Sequence, residues 1–167
     1  MKKRMVFLML PMLLLMMAVV GCGKKVEVKL LPETANLDFA GDIVVEPAKP
    51  PYNLGGWRDG EPMWVVKIPE KGMYKVSMEY SRPGRTGKAK GVVRLEHDGR
   101  DPHELSFTVQ PTGKDGGDWS VYKVHEIGGA SLEAGTWQIS VEPLERDASS
   151  GTEYFVNLRS VTLLLDE

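Results

Sequence analysis

Side chains able to do chemistry are sparse in this chain and widely spaced. Its 167 residues contain a single cysteine, Cys22, and three histidines, His97, His103 and His125. The histidines show no H-x-x-x-H spacing, so the pattern of a zinc site is missing. Three carboxylate pairs have the spacing for acid and base work or for holding a cation: Asp98 with Asp101, Asp115 with Asp118, and Asp59 with Glu61. Each pair adjoins glycine in a turn-like stretch, where aspartate is favoured because its side chain bonds to nearby backbone. They read as turn residues. No G-x-S-x-G elbow, phosphate-cradling glycine loop or dinucleotide fingerprint occurs. No residue is assigned a catalytic role, and the chain reads as a non-enzyme with no metal ligands.

Cys22 has a different use. Lys2, Lys3 and Arg4 make a positive start, and Met5 to Val20 is an apolar stretch broken only by Pro11, the layout of a secretion signal. The stretch is short for a spanning helix, which needs roughly 20 apolar residues. Val19-Val20-Gly21-Cys22 resembles the lipobox of bacterial lipoproteins, in which the thiol receives a diacylglycerol and a peptidase cuts before the cysteine. That resemblance implies that residues 1–21 are a signal peptide, that 22–27 are a lipidated cysteine and a short tether, and that 28–167 form the domain. It places the protein in the cell envelope, lipid-anchored at the outer membrane or cell surface. A lipidated Cys22 leaves no thiol for a disulfide or a nucleophile.

The 145 residues after Cys22 suit one domain with a real core. Removing the signal leaves 18 basic residues against 23 acidic ones, a formal charge of −5. Nucleic acid is therefore not an expected partner, since binding it needs a clustered basic surface.

The elements that must position any site are strands. Helical periodicity is missing after the signal, while alternating runs bounded by Gly, Pro, Asn and Asp recur. The runs are Met63 to Ile68, Met73 to Ser81, Val92 to His97, Glu104 to Val109, Ser120 to Ile127, Thr136 to Glu142 and Tyr154 to Leu165, with a first strand starting near Val26. Tyr74, Val76, Met78 and Tyr80 share one face, and Lys75, Ser77 and Glu79 the other, as in an antiparallel sheet with one wet side. Many short strands favour an all-β sandwich or jelly roll. Pro69 to Glu79 and Leu132 to Glu142 look alike, each with a turn glycine and an aromatic two residues later, so Tyr74 and Trp137 are expected as core wedges.

The stretch Asn53-Leu54-Gly55-Gly56-Trp57 through Trp64, running into Ile68-Pro69-Glu70-Lys71-Gly72-Met73-Tyr74, resembles carbohydrate-binding module families 6 and 35. Asp98-Gly99, Thr112-Gly113 followed by Trp119 and Tyr122, Leu132-Glu133-Ala134-Gly135, and Asn157-Leu158 keep the order of those modules' later motifs. The resemblance implies an antiparallel β-sandwich with jelly-roll, galactose-binding-like topology. It also implies a sugar ring held between two aromatic faces and beside an asparagine, which here are Trp57, Trp119 and Asn157. Flat aromatics suit the apolar C–H face of a pyranose, and an amide offers both donor and acceptor to hydroxyls. Tyr52 is a further loop aromatic assigned to the same cleft.

Family members commonly bind a structural calcium, using acidic residues of the first strand and an aspartate soon after the asparagine-leucine pair. Here the first region offers Glu27 and Glu33 in another pattern, and Arg159 follows Leu158. Calcium takes six to eight oxygen ligands and arginine has none, so this site is expected to be absent or rebuilt. The inserted Lys114-Asp115-Gly116-Gly117-Asp118 lengthens the loop before Trp119. The expected function is that of a noncatalytic carbohydrate-binding lipoprotein with a polysaccharide or glycoconjugate as partner and the membrane reached through its lipid. The alternative is an envelope lipoprotein that uses the same sandwich to hold another envelope protein.

Overall fold

A computed structural model describes residues 25–84, 89–113, 118–146 and 154–166. Cys22, the signal segment and the inserted residues 114–117 lie outside these. Ten strands follow one another: β1 (Glu27–Leu30), β2 (Val44–Glu46), β3 (Asn53–Gly55), β4 (Met63–Ile68), β5 (Gly72–Ser81), β6 (Lys90–Glu96), β7 (His103–Thr108), β8 (Tyr122–Leu132), β9 (Gly135–Glu145) and β10 (Asn157–Leu165). Each of the seven alternating runs of the sequence overlaps a strand, although Ser120 and Val121 precede β8 and residues 154–156 precede β10. β2 and β3, three residues each, are too short to show a period. β8 continues past Ile127 through Gly128 and Gly129 to Leu132, next to an irregularity at Val76 and Ser77 of its partner β5.

The strands form two antiparallel sheets, and the architecture is a β-sandwich. One sheet runs β2-β3-β10-β5-β8 with β1 also paired to β10, and the other runs β4-β9-β6-β7. Tyr74, Val76, Met78 and Tyr80 of β5 are all buried, and with Leu158, Val161 and Leu163 of β10 they form one inner face. Trp64, Ile68, Val93, Leu95, Ile139 and Val141 form the facing one. The two look-alike turns prove to be one device. Tyr74 Oη donates to the Glu70 carbonyl at 2.8 Å and Trp137 Nε1 to the Glu133 carbonyl at 2.9 Å, each four residues back, with both rings buried.

The pairing also fixes which loops share a pole. In the larger sheet Asn157, Ser81 and Tyr122 lie side by side at one end of β10, β5 and β8. In the smaller sheet Glu145, Lys90 and Thr108 do the same for β9, β6 and β7. The chain therefore changes sheets at this pole after β5, after β7 and after β9, and the β3–β4 connection 56–62 crosses there as well. The tight turns after β4, β6 and β8 occupy the other.

Candidate functional site

The crossover pole is assembled around Arg82, which is 3% exposed. Its Nη1 donates to the carbonyl oxygens of Tyr154 and Phe155, while its own backbone N–H donates to Thr112 Oγ1 at 2.9 Å. Thr112 N–H returns a bond to the Arg82 carbonyl at 2.9 Å. One buried side chain and its backbone thus tie together three of the crossing connections. Buried carbonyls need such donors, because an unpaired one costs about as much as a lost hydrogen bond.

Trp57 belongs to this support and not to a ligand surface. It is 0% exposed, its indole Nε1 donates to the Gly60 carbonyl at 3.1 Å, and its ring meets Phe155 edge to face at 5.3 Å. Its carbonyl accepts the Phe155 N–H at 2.7 Å. A ring covered on every side has no face for a sugar, so its expected role as a sugar contact is corrected: Trp57 is a core post at the end of the sandwich. Tyr52 is half-buried just before β3 and does not line the concavity described next.

That concavity is lined by Glu46, Gly56, Trp119, Tyr154 and Asn157, with a volume of about 340 Å³. Ligand pockets span about 300–1,000 Å³, so it is at the small end of that range. Trp119 and Tyr154 are partly exposed, and their rings stand at 86° with centroids 6.4 Å apart. Asp118 anchors the Trp119 turn by accepting bonds from the Ser120 N–H and hydroxyl, and the hydroxyl bond holds its carboxyl below the usual range. Arg58 Nη2 donates to the Tyr154 phenol oxygen at 3.2 Å, with its guanidinium carbon 5.1 Å from the ring centre.

Asn157 opens β10 beside Tyr122. Burial pushes the Tyr122 phenol above its usual range, while the nearby Arg159 charge and the Asn157 amide pull it the other way. Arg159 stacks 3.5 Å over the Tyr122 ring and pairs with Glu79 at 3.1 Å. A guanidinium committed in this way does not fit a calcium site after Leu158. Among the described residues no group of three or more His, Cys, Asp or Glu side chains is placed to hold a metal ion.

Glu46 ends β2, and its Oε1 accepts from Asn53 Nδ2 at 3.3 Å. A Cβ at Gly55 would collide with the Glu46 carboxylate, so glycine there lets the acid lie flat against β3. Sequence reasoning missed Glu46 and Tyr154 as site residues. Tyr154 stands before the last strand instead of inside it, and nothing local to Glu46-Pro47 signals a cleft. A second concavity, of about 380 Å³, lies at the opposite pole beside His97, Arg100 and Gln138. Its tryptophan, Trp137, is only 2% exposed and offers no stacking face.

No family model matches the chain, and no curated protein sequence matches it. Solved structures do resemble it. A family 35 carbohydrate-binding module from Clostridium thermocellum is 17% identical with a TM-score of 0.59, covering 83% of this chain and 97% of its own. A carbohydrate-binding module of Cellvibrio mixtus lichenase 5A, solved with cellotriose, is 16% identical with a TM-score of 0.57, covering 84% and 98%. The mosquito-larvicidal Cry4Aa toxin from Bacillus thuringiensis is 15% identical with a TM-score of 0.62, covering 84% of this chain and 24% of the toxin. The chain therefore has the β-sandwich fold of carbohydrate-binding modules, a fold also present in a toxin. Function has to be argued from the site.

Proposed function

We propose that this protein is a noncatalytic carbohydrate-binding lipoprotein of the bacterial cell envelope. The observation that carries the reading is the convergence of Trp119, Tyr154 and Asn157 on one open concavity at the crossover pole. An aromatic face for the apolar side of a pyranose and an amide for its hydroxyls are the groups a sugar site needs. The likeness of fold to carbohydrate-binding modules supports the same reading. The Gly21-Cys22 pair behind a basic and apolar leader supports the anchor. A short tether would keep the domain at its membrane, and many anchored copies would raise the effective concentration of a weak site.

The test is a glycan array followed by calorimetry on wild type, Trp119→Ala and Tyr154→Ala. Binding by the wild type that drops at least tenfold in both folded variants is the expected result. A folded wild type that binds no glycan overturns the reading. For the anchor, metabolic labelling with a fatty-acid probe should mark the wild type and leave Cys22→Ser unlabelled.

A further inference from the structure

The concavity holds a carboxylate that a neutral sugar does not require. Glu46 lines it together with Trp119, Tyr154 and Asn157. Its placement is built in twice over. The Asn53 amide donates to Oε1 at 3.3 Å, and the missing side chain at Gly55 leaves the space the acid occupies. Among the described residues no cation pairs with Glu46. Arg58 and Arg159, which flank Tyr154 and Tyr122, each already face a carboxylate, Asp42 at 4.0 Å and Glu79 at 3.1 Å.

A negative charge set beside aromatic rings is the combination that recognises an alkylammonium. The ring face attracts the cation through its quadrupole, and the carboxylate accepts charge-assisted N–H bonds. Tyr154 already shows the first half of this chemistry, with the Arg58 guanidinium 5.1 Å from its centre. Resting on the sugar-binding reading, we propose that this site selects amino sugars. A glycan residue with a free ammonium would place its ring against the aromatic corner and its charge on Glu46. N-acetylation of the same ring removes the ion pair, and a uronate brings like charge to Glu46. Part of the attraction is open to solvent, so added salt weakens it.

The test is calorimetry with the full chain in detergent at pH 6, where the ligand amine is protonated. The ligands are a chitosan tetramer, its fully N-acetylated form, cellotetraose and tetragalacturonate. The amino tetramer is expected to bind at least tenfold tighter than the acetylated one, with the gap narrowing at high salt. Glu46→Gln should close the gap while keeping the wild-type melting temperature. Gly55→Ala, which displaces the carboxylate without removing it, should close it too. Equal binding of the amino and acetylated tetramers, or a gap untouched by Glu46→Gln, overturns the amino-sugar preference and leaves the sugar reading standing. Silence of all four ligands and of a broad glycan array overturns the sugar reading itself.

Discussion

Trp119 and Tyr154 meet edge to face, their planes at 86° and their centroids 6.4 Å apart. They arrive from different crossing connections, one between β7 and β8 and the other between β9 and β10. Two rings in this relation form a corner and not a slot between parallel faces. In the proposed site a sugar would stack on one ring while the other closed its side.

Replacing the corner and replacing the post beneath it should have opposite signatures. Trp119→Ala or Tyr154→Ala should abolish glycan binding while shifting stability by no more than about 1 kcal/mol, since both rings are partly exposed. Trp57→Ala should cost about 3–5 kcal/mol, because it empties a fully buried site. Urea titrations run alongside calorimetry separate the two effects.

Arg82 is expected to be the clamp of the pole. Arg82→Met keeps much of the side chain's bulk but strands the buried carbonyls of Tyr154 and Phe155. The expected cost is about 3 kcal/mol, in line with bonds from a charged donor. Hydrogen exchange should quicken first at Phe155 and Thr112, before β5 or β10 opens. Protection lost evenly across all strands would contradict the clamp.

The twin turns offer a matched pair. Tyr74→Phe removes only the bond to the Glu70 carbonyl, an expected loss of about 1 kcal/mol. Trp137→Phe removes the equivalent bond to Glu133 and leaves a cavity as well, so it should cost more, about 2–3 kcal/mol. Denaturant midpoints decide the order.

His125 stacks on Tyr80 at 4.7 Å with its Nε2 buried and without a partner. Burial, helped by the Lys123 charge, lowers its pKa in the fold. The unfolded chain thus takes up the proton first, near the ordinary histidine value of about 6.5, and stability falls as the pH drops through that value toward the folded one. Unfolding at pH 7.5 and pH 5 should show the wild type losing stability, and His125→Phe losing less. Equal losses would show that other groups set the slope.

Much of the fold was legible because alternation is a local signal. Tyr74, Val76, Met78 and Tyr80 had to share one side of a strand, and all four are buried. The turn glycines and the paired aromatic wedges could be read in the same way, whereas the asparagine opening β10 came from the resemblance to carbohydrate-binding modules. β2 and β3 could not, since three residues hold too little of a period. Their loss hid Glu46, which reaches the concavity only because β2 pairs beside β3.

For the aromatics, local context was ambiguous in principle. A tryptophan after two glycines has the same neighbours in sequence whether it faces solvent or the interior. Trp57 is interior because Phe155, far along the chain, packs against it at 5.3 Å. Tyr154, immediately before that phenylalanine, is turned outward to meet Trp119. Sequence alone determined the longer strands and the wedges, because each depends on residues two to four apart. Which aromatic rings form the site was decided by tertiary structure, because burial depends on the segments that the crossing connections bring together at one pole.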